Sequence, residues 1–461
     1  MLSLVKFINL TRSIEIGANS YFLDFGDDGH LVLDAGLHPK IEGELATPHF
    51  QSLEDYPVDC LIISHAHHDH TGALPLFLRK YPNLKVFLSE PTYHLTLPLL
   101  HNSVEVMLKQ RLALQIPEYP LYTHKEIDHG TERWQICHIN KEWSLNGYPN
   151  PKHEPLTFRF YPSGHILGAV GVRIFHRGRR IFYTGDVSFK EQTLMLPADF
   201  PQDGIDVLII ESTRGAQEME KGITRQTEIQ RLIDRIENTF DRGGSVLIPI
   251  FALGKTQEII TTLFFEQQKG RLRKCPIYIG GLSRSFSEIY DRLSSRSLRR
   301  YPGFKILDTI APIVVNGKKT HKIQPVKGEL YLVTSGMMNE NTISNILAQK
   351  FLPNEKNSIF FVGYCDPESP AGQLLATPRG NLVVLNSSSK PQPVLCEVDH
   401  FDLTSHAQRE DILSYIQLLE PRTCILVHGD PTALEWFKQK IEEESPHINL
   451  VIPPPGQLIN V

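Results

Sequence analysis

Cys60-Leu61-Ile62-Ile63-Ser64-His65-Ala66-His67-His68-Asp69-His70 is the stretch from which the rest of the chain can be read. A short apolar run that ends in histidines and an aspartate predicts a buried strand delivering polar side chains to the loop at its carboxyl end. In the pattern H-x-H-x-D-H, the alternating His65 and His67 converge on one ion, and the adjacent Asp69 and His70 face a second. Imidazole and carboxylate donors without thiolate suit zinc, and manganese and iron accept the same donors. The competing reading is a solvated histidine-rich loop, which a dense, ordered pattern directly behind a strand disfavours.

The 461 residues exceed one ordinary domain, and 41% hydrophobic residues suffice for more than one core. With 47 basic against 52 acidic residues the net charge is −5, so a polyanionic partner must be attracted by local patches or bound cations. No apolar run approaches a membrane span, and Met1 to Phe7 lacks the pattern of a secretory leader. The reading is a cytoplasmic protein with no membrane partner. Six scattered cysteines without a C-x-x-C pair are expected to be reduced and mostly buried.

Outward from the cluster, Ser20 to Phe25 and Leu31 to Leu33 flank Gly26-Asp27-Asp28-Gly29 and predict a β-hairpin. Its second strand ends in Asp34, read as a residue that orients a ligand, with direct ligation and turn capping as alternatives. Thr71 to Arg79 predicts a short helix, Lys85 to Leu88 a strand, and Val104 to Leu114 a packing helix. His94, His101, His124, His129 and His138 have no ligand spacing and are read as structural. Further strands end at His165 within Ser163-Gly164-His165, at Asp186 within Thr184-Gly185-Asp186, and at Glu211 within Glu211-Ser212-Thr213. One polar strand end is ordinary, but five in series point to a common site.

Asp34, the His65 to His70 cluster, His165 and Asp186 resemble the first four motifs of the metallo-β-lactamase fold. Glu211-Ser212-Thr213, Leu403-Thr404-Ser405-His406-Ala407 and Leu426-Val427-His428-Gly429 resemble the further motifs of its β-CASP nuclease branch. The likeness covers essentially the whole chain, and is greatest to RNA-processing members such as the endonuclease subunit of the cleavage and polyadenylation machinery.

Between Arg214 and about Leu395 the pattern alternates helix and strand, with a helix over Gln226 to Phe240 and strands at Ser245, Pro276, Glu329 and Asn357. That alternation predicts a second, parallel α/β unit. The resemblance implies an αββα metallo-β-lactamase sandwich (1–212 and 396–461) with an inserted β-CASP cap (213–395). A helix over Arg409 to Leu419 is predicted between His406 and His428.

The resemblance assigns one zinc to His65, His67 and His165, the other to Asp69, His70 and His428, with Asp186 bridging. Two cations about 3.5–4 Å apart lower the pKa of a shared water toward about 7, and the resulting hydroxide is the expected nucleophile. His406 is the expected proton donor, oriented by Glu211. The implied activity is zinc-dependent hydrolysis of single-stranded RNA, endonucleolytic and with 5′–3′ exonucleolytic action as a further mode. The implied assembly is a homodimer or an RNA-processing complex. Histidine at 428, where DNA-directed members have valine, favours RNA.

For substrate capture the reading selects Ser335, Gly336, Lys255 and Arg284, with Arg271 to Lys274 and Lys318-Lys319 as weaker cationic runs. Arg214 after Glu211-Ser212-Thr213, Ser335, and the acidic Asp366-Pro367-Glu368-Ser369-Pro370 depart from the family pattern. Two other readings are a small-ester or thioester hydrolase and a non-catalytic RNA-processing scaffold. The cap and the His406–Glu211 pair argue against the first, and the complete ligand set against the second.

Overall fold

The structure is a computed structural model that describes residues 5–218, 222–315 and 317–461, without the side chains of 318 and 319. The charge run at Lys318-Lys319 and the first four residues therefore lie outside the described residues. The chain divides into two compact units, one of Met1–Glu191, Leu196–Met219 and His406–Val461, the other of Gln192–Met195 and Glu220–Ser405.

The first unit is built on two seven-stranded sheets. One runs, in spatial order, Leu458–Asn460, Lys6–Asn9, Tyr21–Asp24, His30–Leu33, Cys60–Ile62, Lys85–Leu88 and Trp134–Ile136. The other runs Asn449–Val451, Thr423–Val427, Val207–Glu211, Arg179–Tyr183, Val170–His176, Leu156–Pro162 and Glu142–Ser144. Successive side chains of a strand point to opposite faces, and both faces here are apolar. Leu31, Leu33, Cys60 and Ile62 of the first sheet meet Phe158, Phe160, Val172, Val207 and Ile209 of the second in a shared core. Their neighbours point outward to helices: Val32 and Leu61 toward Phe77, Leu100 and Val104, and Leu208 and Ile210 toward Ile412, Ile416 and Phe437. The result is helix, sheet, sheet, helix, the sandwich that the family resemblance implied.

The predicted hairpin is present, with Tyr21 opposite Leu33 and Asp24 opposite His30. Two predicted helices differ. The expected helix over 71–79 is split into His68–Thr71 and Leu74–Lys80. The helix expected at 104–114 runs from Glu90 to Ala113, capped by the Ser89 hydroxyl. Its buried face carries Thr92, Thr96 and Ser103, which blurred the apolar period, and it accommodates Pro98.

The second unit holds a six-stranded parallel sheet in the order Ile313–Val315, Ile277–Gly280, Leu330–Val333, Val246–Pro249, Ser358–Phe361, Glu397–His400. The helices Arg225–Asp241 and Lys255–Gln268 belong to this unit. Its last strand lies beyond the expected boundary at 395. Glu397–His400 pairs with Ser358–Phe361, so the chain returns to the first unit at His406 rather than at 396, and leaves it after 219 rather than 212. Gln192–Met195 also belongs to the second unit, where Thr193 and Leu194 donate their backbone N–H groups to Glu258.

All six cysteines are free, four of them buried. No helix among the described residues is long and apolar enough to cross a membrane.

Candidate metal centre

Each histidine and carboxylate of the centre is delivered by the carboxyl end of a strand in the first unit. Cys60–Ile62 leads to His65 and His67, and the helix starting at His68 turns Asp69 and His70 inward. His165 follows Leu156–Pro162, Asp186 follows Arg179–Tyr183, and His428 follows Thr423–Val427. His428 and Asp34 both have positive φ, 53° and 61°, a left-handed conformation that is uncommon outside glycine and that aspartate and histidine tolerate better than most residues. Glycine at 36 is required by the same convergence: a Cβ there would lie 1.7 Å from the Asp69 carbonyl oxygen.

The donors fall into two sets. His65, His67, His165 and Asp186 form one, and Asp69, His70 and His428 the other. In the first, His67 Nδ1 lies 3.1 Å from both His65 Nε2 and His165 Nε2. Asp186 Oδ2 lies 3.4 Å from each of those Nε2 atoms. In the second, Asp69 Oδ2 lies 3.3 Å from His428 Nε2 and 3.7 Å from His70 Nε2. The other Asp186 oxygen, Oδ1, faces this set at 3.3 Å from His70 Nε2 and 3.1 Å from His428 Nδ1. One carboxylate thus presents one oxygen to each set. Glu211 groups with Asp186 and His428 in a third cluster.

The donor set fits metal. Tetrahedral zinc with bonds of about 2.0–2.1 Å to nitrogen holds its ligands about 3.3–3.4 Å apart, close to the spacings in the first set. Asp186 Oδ1 is buried with no aligned hydrogen bond, only the His428 and His70 ring nitrogens beside it at 3.1 and 3.3 Å, so its charge calls for a cation or a protonated imidazole.

Electrostatics differ between the sets. Burial and the neighbouring His65 push His67 down to about 3, and burial likewise holds His65 and His165 below the ordinary imidazole range. These three offer bare lone pairs. For His428 burial again opposes charge, but Asp186 and Asp69 overcome it and push the imidazole up to about 10. His70 is raised in the same way, against burial, by Asp186, Asp69 and Asp34.

Asp34 is placed as an orienting residue. Its Oδ2 lies 2.8 Å from His70 Nδ1, and the carboxylate also accepts from Ser64 N and Oγ and from Tyr183 Oη. His406 is held by Glu211 at 3.1 Å from Nδ1, and its Nε2 lies 4.0 Å from Asp186 Oδ2. Glu211 is itself fixed by the Val187 N–H at 2.6 Å and by the Thr213 hydroxyl. Burial lowers His406, but Glu211 and Asp186 outweigh it, so its pKa stands above the usual imidazole value.

Reading the sequence missed Asn19. Its backbone N–H and its Nδ2 both donate to the Asp69 carbonyl, and its Nδ2 lies 3.1 Å from His70 Nε2. Nothing in the spacing around Ala18-Asn19-Ser20 announces this, and only the fold brings residue 19 to residue 69.

The chain matches the model of the metallo-beta-lactamase superfamily over residues 14–138, the Beta-Casp domain over 256–374, and a Zn-dependent metallo-hydrolase RNA specificity domain over 391–453. It belongs to the β-CASP branch of the metallo-β-lactamase superfamily. Among curated β-CASP relatives, the cleavage and polyadenylation specificity factor 73 of Drosophila melanogaster is 28% identical over 441 residues, 93% of this chain and 60% of that protein. Endoribonuclease YSH1 of Saccharomyces cerevisiae is 26% identical over 450 residues, 95% of this chain and 56% of that protein. The RNase J-like protein of Methanocaldococcus jannaschii is 28% identical over 404 residues, 87% of each. The chain therefore spans 56–61% of the eukaryotic relatives' length. A solved structure of a protein of unknown function from Enterococcus faecalis V583 shares the fold, with a TM-score of 0.59 at 14% identity over 99% of this chain and 100% of that one.

The residues selected for substrate capture are dispersed within the second unit. Lys255 and Gly336 line one cleft together. Ser335 builds the adjoining turn, its Oγ accepting from Asn339 N at 2.9 Å. Arg284 is exposed on the helix Gly281–Arg292 and paired with Glu288 at 2.9 Å, and it is not part of that cleft. Arg271 and Arg273 are engaged by Glu266, Glu237 and Asp241. The acidic Asp366 to Pro370 loop is a helix start, Ser369 Oγ accepting from Gly372 N at 3.2 Å. Arg214 is buried.

Proposed function

We propose that the chain is a two-zinc ribonuclease that hydrolyses phosphodiester bonds in single-stranded RNA, endonucleolytically and, as a second mode, 5′–3′ exonucleolytically. The observation that carries this reading is Asp186, whose two oxygens face two separate histidine sets, with the His406–Glu211 pair alongside. His65, His67, His165 and Asp186 would hold one zinc, and Asp69, His70, His428 and Asp186 the other. Bound there, the ions supply Lewis acidity, acidify water and neutralise phosphate oxygens.

The chain's own residues supply the rest. His406, whose pKa Glu211 and Asp186 raise against burial, donates a proton to the leaving oxygen. Glu211 fixes the tautomer by accepting at Nδ1, so the Nε2 proton is the one transferred. Asp34 holds His70 in the orientation that presents Nε2. The names of the YSH1 and RNase J-like relatives favour RNA as the substrate. We further infer a cytoplasmic protein working as a homodimer or within an RNA-processing assembly, as the name of the Drosophila relative suggests.

The test is metal analysis alongside cleavage of 5′- and 3′-labelled RNA oligonucleotides, with Asp69→Ala as control. Two zinc ions per chain and internal fragments absent from the variant are expected. Metal-loaded protein that leaves RNA intact would overturn the proposal.

A further inference from the structure

Phe251 is the most exposed phenylalanine among the described residues, at 40%, in a chain that buries most of its aromatic rings. Among those residues no aromatic ring stacks on it. Leaving an apolar ring open to water is unfavourable by about 25 cal/mol for each Å² exposed. A ring held in that state in a cleft is therefore a place to look for a ligand.

The backbone that carries the ring is tied down. Thr256 donates both its backbone N–H, at 3.1 Å, and its hydroxyl, at 2.7 Å, to the Phe251 carbonyl. The Ile250 N–H is tied to Val333 O at 3.0 Å. Gly336 supports the ring from below: a Cβ there would lie 2.9 Å from two of its carbons, so only glycine lets the ring settle against that backbone. Lys255 and Tyr364, itself 48% exposed, line the same cleft.

Topology places this cleft where parallel sheets bind ligands. Successive connections carry the chain from Val246–Pro249 toward one flank of the sheet, to Ile277–Gly280 and Ile313–Val315. After Leu330–Val333 they carry it to the other flank, to Ser358–Phe361 and Glu397–His400. The crevice outside the carboxyl ends of the central strands is the switch point of such a sheet, and Phe251, Gly336 and Tyr364 follow three of those ends.

We propose that the rim of this cleft is a nucleobase subsite in which a base of single-stranded RNA stacks on the exposed face of Phe251, with Tyr364 lining the same cleft. The proposal rests on the ribonuclease reading for the identity of the ligand. Every base offers a π face, so such a platform accepts any sequence while rejecting paired bases, which cannot splay out. Lys255, whose Nζ donates to the Leu403 carbonyl, adds positive charge at the same cleft.

Binding is measured with the full chain carrying Asp69→Ala, using a single-stranded RNA oligonucleotide containing 2-aminopurine and an abasic oligomer of equal length. Quenching of 2-aminopurine is expected on binding. Phe251→Ala should weaken binding about 10- to 100-fold, the range typical of one lost base–aromatic stack, and Phe251→Trp should restore it. The abasic oligomer should bind the parent as weakly as the natural one binds Phe251→Ala. Equal affinity of the parent and Phe251→Ala, no discrimination against the abasic oligomer, or no RNA binding at all would overturn the proposal. Cleavage is scored separately with Asp69 intact, so binding through Phe251 without cleavage would remove the ribonuclease reading and leave the subsite.

Discussion

The Asp34 carboxylate lies 2.8 Å from Nδ1 of His70, and both side chains are almost completely buried. The contact fixes the ring so that Nε2 faces Asp186. Histidine ligands held by a carboxylate typically lose 10- to 100-fold in metal affinity when it is removed. Asp34→Ala should therefore weaken one of two binding steps in a zinc titration against a chelator by about that factor. The step owed to His65, His67 and His165 should stay put. If neither step moves, Asp34 only shapes the turn with Ser64.

Removing His406 should separate chemistry from metal binding. Its Nδ1 belongs to Glu211, and it is absent from the convergent ligand sets. Loss of a general acid typically lowers turnover by about 10²–10⁴. His406→Ala should retain both metals by elemental analysis while kcat on RNA falls within that range. Loss of a metal would make His406 a ligand instead.

Several of the candidate site residues that the sequence disclosed share one physical cause. A strand carrying apolar side chains to both faces must end where the chain re-enters water, and the polar residue there is conspicuous against the run before it. Asp34, His165, Asp186 and Glu211 were readable on that ground, whereas His428 was selected through the resemblance. Asn19, Ser64 and Tyr183 act through tertiary contacts, and their neighbourhoods in sequence are unremarkable. The edge strand Glu397–His400 was missed because Glu397, Asp399 and His400 carry ion pairs and hydrogen bonds rather than apolar contacts. Its polarity disguised it as a linker. The break after Thr71 falls at Ala73, with φ −97° and ψ 4°, while Gly72 keeps helical angles and must be glycine because a Cβ there would lie 2.6 Å from the His68 carbonyl oxygen.

Metal uptake should release protons. In the metal-free chain the carboxylates of Asp186 and Asp69 push His428 up to about 10, and His70 is raised as well. His428 is then protonated at pH 7, and a nitrogen must lose its proton before it can ligate. Affinity should rise as pH rises through the neutral range, by about tenfold per pH unit for each proton released. Calorimetric zinc titrations in buffers of different ionisation enthalpy count those protons directly. A count of zero would mean that neighbouring groups already keep the imidazoles neutral.

Asp28 predicts how the first unit responds to acid. It sits in the turn of the first sheet's hairpin and joins the second sheet, 2.7 Å from His176 Nε2 and 2.7 Å from Arg177 Nη2. The Arg177 hydrogen bond, opposed by burial and helped by His176, holds the carboxyl well below its usual range. A carboxyl depressed in the folded state stabilises it fully above the unfolded pKa, near 3.9, and that stabilisation drains away as pH falls toward the folded value. Asp28→Asn should therefore lower stability at pH 7 and pH 5, and the gap to the parent should narrow progressively as pH falls below about 4 toward the folded value. Urea denaturation across that range measures it. A gap that stays constant into acid would show that Asp28 contributes through packing and neutral hydrogen bonds rather than through its charge.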